Sequence, residues 1–353
     1  MKHSVELQIT DVAFGGAGVA RKDGKVYFVP FTAPGDIIRA EITRDKKKFA
    51  EARIAEILTP APDREKPRCI YFGKCGGCAY QHLPYTKQLA LKQAQVEQTL
   101  RRVGRLDPIP MRPIIPAPEP YGFRNRIRVH VIEGQTGFFA HGSHDLVPVA
   151  RCEIAQPSVN EALHDLRRRA VRDGDYTVAA RDRTEFFEQT NDAVAAALLA
   201  LVEHEITSTH TLLVDAYCGA GFFARRLSSR FPAVVGIEEN EHAIQEARRK
   251  AAPHERYLAG DVAAHLGDIL AAHDAGQTTV ILDPPATGLE PRVTDILLAT
   301  PPAEILYVSC NPATLARDLS ILTKTHRLES VTPLDMFPQT AEIEALAVLR
   351  LKQ

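Results

Sequence analysis

Long hydrophobic runs are missing from this sequence. The longest apolar stretch, residues 193–202, is too short to cross a bilayer and is closed off by Asp192 and Glu203. Residues 1–10 are polar and charged, so no secretory signal is visible there. Both absences predict a soluble, cytoplasmic chain that makes no use of a membrane. Cysteine is scarce, six in 353 residues, and the absence of a visible secretory signal argues against a disulfide framework. An excess of either charge is also missing, since the formal net charge is −1. That balance hides a polarity. Residues 1–130 hold 23 Lys/Arg against 13 Asp/Glu, net +10, and the remainder is net −11. A basic front half suits a polyanion partner, although a charge run is as often plain solvated surface.

What is present divides into three parts. Over residues 1–58, short strand-like runs at 5–13, 18–21, 25–31, 37–43 and 50–58 are separated by glycine turns and a charged loop at 44–48. Asp23-Gly24 is the two-residue hairpin signal of the I′ kind. Five short strands fit an OB-like barrel, a common single-strand nucleic-acid binder, with the 44–48 loop on phosphate. A barrel that only packs on its neighbour fits the same pattern. Thr59-Pro60-Ala61-Pro62 ends it.

Residues 59–186 carry the sharpest local motif, Cys69-x5-Cys75-Gly-Gly-Cys78. Close thiolates joined by glycines wrap a metal or an iron–sulfur cluster, and a fourth ligand is then required. Cys152 is the natural candidate, because Cys218 and Cys310 belong to the later sheet. A zinc site usually pairs two short cysteine hairpins and only one is here, which favours [4Fe–4S] over zinc; a metal-free group is the third reading. Helical spacing predicts a helix over 85–103, placed against the later domain. Arg124, Arg126 and Arg128 alternate after Tyr121-Gly-Phe123, so on a strand they share a face suited to phosphate and base contact or simply to solvent.

Residues 187–353 read as a nucleotide-binding α/β sheet. A buried strand ends at Asp215 and runs into Ala-Tyr217-Cys-Gly219-Ala-Gly221 and a helix. Further strands end in Glu238, Asp261 and Asp283. An acid about 20 residues past the glycine turn is where ribose hydroxyls bind. The turn lacks the full GxGxxG, and successive acids at strand ends suit S-adenosylmethionine better than a dinucleotide. Each acid alone is also a plausible helix cap. Next, residues 305–319 (ILYVSCNPATLARDL) give a buried strand, Cys310, an Asn311 N-cap, Pro312 at the first helical position and an apolar face of Leu315, Leu319 and Leu322. Cys310 thus sits between the carboxyl end of a strand and the amino end of a helix. The helix dipole there favours the thiolate, which is the nucleophile. A buried structural cysteine is the competing reading.

Together these residues resemble the RNA 5-methyluridine (uracil-C5) methyltransferases, of the iron–sulfur, TRAM-containing 23S rRNA type. The resemblance covers nearly the whole chain: the barrel, the cysteine set, Phe187-x-Gln189-x-Asn191, the Asp215 turn, DPPATGL from Asp283, SCNP at Cys310 and DMFPQTAEIE ending at Glu344. It implies a TRAM barrel, a small iron–sulfur central domain and a class I (Rossmann-like) methyltransferase domain. It also implies a monomer that uses S-adenosylmethionine and a [4Fe–4S] cluster on Cys69, Cys75, Cys78 and Cys152. The implied chemistry is addition of Cys310 to C6 of a uracil, methylation at C5 and removal of the C5 proton by Glu344. From the residues alone Glu342 competes with Glu344, since i and i+2 share a strand face. Gln189, Asp215, Tyr217, Gly219, Gly221, Glu238, Asp261 and Asp283 would line the pocket. Large-subunit rRNA is the favoured target, with the tRNA T-loop as alternative; a non-catalytic RNA-binding factor is the reading from another class. The sequence departs from the family pattern at Ala286, where Arg is usual, at Glu342, where His is frequent, and in a shorter middle segment.

Overall fold

A computed structural model of the chain describes residues 4–169, 171–180, 189–207 and 209–352. The chain divides into two compact units. One holds Met1–Gln95, Pro118–Arg183 and Phe337–Glu342; the other holds Val96–Ala117, Thr184–Met336 and Ile343–Gln353. Among the described residues no helix is long and apolar enough to cross a membrane.

In the first unit, β1 (Ser4–Gln8), β2 (Asp11–Val12), β3 (Ala17–Lys22), β4 (Lys25–Pro30), β5 (Ile37–Asp45) and β6 (Phe49–Thr59) form one sheet in the order β1-β5-β6-β4-β3-β2. The run expected as a single strand over 5–13 is two strands. Ile9 N donates to Asp36 O and Thr10 N to Val19 O, so the chain changes partner from β5 to β3 at that point. The two ends of the sheet are therefore one continuous stretch, which closes the barrel and removes its edges. Asp23 and Gly24 both have positive φ, 50° and 74°, as a type I′ hairpin requires. Alternate residues fill the barrel with Leu7, Ala20, Val29, Ile38 and Ala50. The charged loop narrows to 46–48, because β5 extends through Asp45, where Lys25 Nζ pairs with it at 2.5 Å. Buried Asp36 then ties down the exit segment, accepting from Ala61 N at 2.8 Å and from Arg64 at 2.5 Å.

The same unit contains a second sheet, β10-β7-β8-β9, from β7 (Arg126–Ile132), β8 (Gln135–Phe139), β9 (Leu146–Pro148) and β10 (Gly174–Ala179). Its inner face, Ile127, Val129 and Val178, packs with Val159 and Leu163 of α2 (Pro157–Arg168). Arg126 and Arg128 alternate with these buried residues on the opposite face, as expected of a strand. Helix α1 (Tyr85–Arg102) crosses from the first unit into the second at Gln95/Val96.

The second unit is a seven-stranded sheet in the order β13-β12-β11-β14-β15-β17-β16. Its strands are β11 (Leu212–Ala216), β12 (Ala233–Glu238), β13 (Glu255–Ala259), β14 (Thr278–Leu282), β15 (Glu304–Ser309), β16 (His326–Leu334) and β17 (Glu344–Leu351). Pairing is parallel from β13 to β15, and β17 enters antiparallel between β15 and β16. The helices are α3 (Asp192–Glu205), α4 (Phe222–Leu227), α5 (Glu241–Arg249), α6 (Val262–Ala272), α7 (Pro291–Ala299) and α8 (Pro312–Leu322). The parallel strands read as unbroken apolar runs because both faces are covered. Every residue of β11, β14 and β15 is buried. Val96 and Leu100 of α1 belong to this core, as do Leu315, Leu319 and Leu322 of α8. Successive strands step outward on either side of β11 and β14, so the order reverses between those two strands. That reversal is where an open α/β sheet binds its ligand.

Candidate active site

The sheet registers bring the acidic residues to one edge. Ala216 at the end of β11 pairs with Ile237 on one side and Leu282 on the other. Glu238 and Asp283 are the next residues along their strands, so both lie at the carboxyl ends that flank β11. Between β11 and α4 the chain turns through Tyr217 (φ 68°), Gly219 (φ 54°) and Gly221 (φ 86°). Glu238 holds that turn, accepting from Gly219 N at 3.0 Å, while its other oxygen takes Asn240 N at 2.9 Å. Asp215 lies beneath the turn with no exposed surface, and Ala224 N of α4 donates to its Oδ2 at 2.8 Å. Its buried Oδ1 has no partner among the described residues. A buried acceptor left without a donor calls for a cationic or donor group nearby. Burial pushes the Asp215 carboxyl up to about 7, with Asp283 and Glu238 adding to the rise. Burial also raises the Asp283 carboxyl. Gln189 Nε2 donates to Asp283 Oδ2 at 3.4 Å. Asp261 serves as the N-cap of α6, accepting from Ala264 N at 3.0 Å. Phe187 lies outside the described residues.

Cys310 stands at the end of β15, immediately before Asn311. The Asn311 side chain accepts from Ala313 N, the N-cap role read from the sequence. In the antiparallel ladder Ser309 pairs with Ala345. Cys310 follows Ser309 and Glu344 precedes Ala345, so both adjoin the last recorded pair of that ladder. Glu344 opens β17 and is 3% exposed. Glu342 differs: its side chain is 61% exposed and faces Arg124 at 3.8 Å.

The loop after Asp283 is fastened to α8. Asn311 Nδ2 and Thr314 Oγ1 both donate to Ala286 O, at 3.0 and 3.2 Å. Arg317 donates to Thr287 O and Leu289 O at 3.1 and 3.0 Å. Asp318, 1% exposed, accepts from Leu289 N at 2.9 Å and Tyr307 Oη at 2.6 Å. Sequence reasoning missed this cluster. A signal was available, because Asp318 falls between Leu315 and Leu322 at helical spacing, a charge inside an apolar stripe.

Cys69, Cys75, Cys78 and Cys152 all line one cavity of about 140 Å³ with Phe72, Ile127 and Phe138 among its apolar walls. Desolvation raises all four thiols, Cys78 to about 12 and Cys152 to about 11. No three described His, Cys, Asp or Glu side chains are close enough to hold a single metal ion. The four cysteines share one cavity, and no metal site is defined among the described residues. A single zinc needs its sulfurs roughly 3.8 Å apart, from Zn–S bonds of about 2.3 Å.

Comparison with known proteins agrees with this architecture. Residues 4–55 match the TRAM domain and residues 265–352 match the tRNA (uracil-5-)-methyltransferase family. An uncharacterized RNA methyltransferase of Thermosynechococcus vestitus is 30% identical, with 98% of each chain covered. Another, of Bdellovibrio bacteriovorus, is 32% identical over 98% of this chain and 95% of its own. Among solved structures, Pyrococcus abyssi tRNA (uracil-54, C5)-methyltransferase in complex with S-adenosyl-L-homocysteine superposes with a TM-score of 0.75 at 25% identity, covering 98% of this chain and 99% of that one. With a TRAM barrel at its front and an S-adenosylmethionine-type sheet behind, the chain belongs to the RNA (uracil-5-)-methyltransferase family.

Proposed function

We propose that this enzyme methylates C5 of a specific uridine in RNA through a covalent adduct on Cys310. The observation that supports the reading is the Ser309–Ala345 pair, which Cys310 and Glu344 both adjoin, with Asp283 at the end of the neighbouring strand β14. S-adenosylmethionine supplies the methyl group when bound. Asp215, Glu238, Asp261, Asp283, Gln189 and the turn Tyr217–Gly219–Gly221 form its pocket, with Glu238 at the ribose position and the buried Asp215 charge beneath the turn. The Cys310 thiolate adds to C6 of the uracil, and the C5=C6 electrons move to C5 and O4. Once C5 carries the methyl group, Glu344 takes the C5 proton. The electron pair restores C5=C6 and expels Cys310 as thiolate. Glu344 suits this work because its carboxylate is buried at the strand end, whereas Glu342 is exposed and engaged by Arg124.

Cys69, Cys75, Cys78 and Cys152 are proposed as ligands of a [4Fe–4S] cluster, supported by their common cavity and its apolar walls. A cluster supplies the positive charge needed to keep four buried thiolates together, and its role here is structural or RNA-contacting.

For the target, the reading from sequence is 23S rRNA. A second reading, the T-loop of tRNA, is favoured by one observation: the Pyrococcus abyssi enzyme that aligns end to end acts on uracil 54 of tRNA. Mass-spectrometric mapping of 5-methyluridine in rRNA and tRNA, with and without the gene, tests both. A single 5-methyluridine should vanish from one RNA. A vanished 5-methylcytidine, or no change, contradicts the proposal.

A further inference from the structure

The loop 286–289 follows Asp283 by two prolines, and Ala286 gives it no side chain with which to brace itself. Asn311 and α8, which follow Cys310, supply hydrogen bonds to it, and β15, which precedes Cys310, joins through the Tyr307–Asp318 bond. Three of its four backbone carbonyls are held from α8: Ala286 O by Asn311 and Thr314, and Thr287 O and Leu289 O by Arg317. Its Leu289 N–H goes to Asp318, which also takes the hydroxyl of Tyr307 from β15 and, at 2.8 Å, Nε of Arg317. The fit is close. Gly288 has φ 74°, and a Cβ there would lie 2.6 Å from both Arg317 Nη2 and Asp318 Oδ2. Apolar side chains would fill the Asp318 position at least as stably as a buried carboxylate does. Three convergent donors on one buried acid instead fix a single geometry, which matters where reacting atoms must be held to within fractions of an ångström.

We propose that Asp318 and Arg317 are positioning residues that clamp loop 286–289 to α8 and β15, and so set the Asp283 side of the pocket against Cys310. This rests on the reading of Cys310 as the nucleophile. Asp318→Asn keeps the shape but turns an N–H toward at least one of the donors that Asp318 now accepts. Arg317→Gln acts from the half-exposed side, releasing Thr287 O and Leu289 O while leaving the buried acid in place.

The test uses the whole enzyme with S-adenosylmethionine and target RNA carrying 5-fluorouridine, whose C5 fluorine cannot leave as a proton does, so the covalent adduct is trapped. We expect adduct formation about 30-fold slower in Asp318→Asn and about fivefold slower in Arg317→Gln, with partial recovery in Arg317→Lys. S-adenosylmethionine affinity and melting temperature of Arg317→Gln should stay at the native level. Should Asp318→Asn fail to fold, Arg317→Gln decides. Adduct formation within twofold of native in both variants overturns the inference. So does a fall in rate that tracks the loss of cofactor affinity and melting temperature. If the native enzyme itself forms no adduct, the nucleophile reading fails, and the inference falls with it.

Discussion

Asp215 sits in an environment far from that of an ordinary carboxylate. Burial is the main cause and holds its carboxyl near 7, against 3.8 for the free group. Between those two values the native state keeps the proton and the unfolded chain releases it. Unfolding therefore becomes easier as pH rises through that window. A cationic cofactor reverses the trend, because it favours the ionised acid. We predict that S-adenosylmethionine affinity rises by up to about tenfold from pH 6 to pH 8 while the stability of the cofactor-free protein declines. Titration calorimetry across this range, on the native protein and on Asp215→Asn, checks it. The variant should bind more weakly and show a shallower profile, because Asp283 still titrates; a flat profile for the native protein contradicts the assignment.

At the scale of elements, legibility followed the strength of each local signal. Strands buried on both faces announce themselves as apolar runs, so β11, β12, β14 and β15 stand where the spacing puts them. The Asn311-Pro312 start of α8 was equally plain. Strand β10 was not, because Gly174–Ala179 has one buried position and a polar exposed face. The split of β1 from β2 was also hidden, since it depends on which partner receives the backbone of Ile9 and Thr10. The difference in burial between Glu342 and Glu344 had no local signal at all. It arises because β17 begins at Glu344, which pairs with Leu334 of β16. The cysteine motif was legible as a donor set, and its common cavity depends on β8 and the start of α2 bringing Cys152 to the hairpin. Protein purified without oxygen should be brown and carry about four irons per chain. Cys78→Ser should bleach it and leave S-adenosylmethionine affinity within about twofold, because the cofactor residues lie in the other unit. A colourless native protein with stoichiometric zinc contradicts the cluster.

Across the whole molecule, a barrel suited to single-stranded nucleic acid precedes a methyltransferase sheet whose strand ends gather a thiol and a buried acid. In the proposed mechanism the acid and the thiol act at different steps, so removing each should stop the reaction at a different point. Cys310→Ala blocks the first bond. RNA should still bind through the basic front half, whose charge that substitution does not touch. Glu344→Gln leaves addition and methyl transfer intact but strands the C5 proton, so the enzyme stays attached to its RNA. Glu342→Gln removes only an exposed carboxylate and should turn over. The most direct measurement is a denaturing gel of these variants with target RNA and S-adenosylmethionine. A slow-migrating adduct is expected for Glu344→Gln, absent when Cys310→Ala is added to it and absent for Glu342→Gln. Adduct accumulating in Glu342→Gln instead, or methylation persisting in Cys310→Ala, would contradict the account.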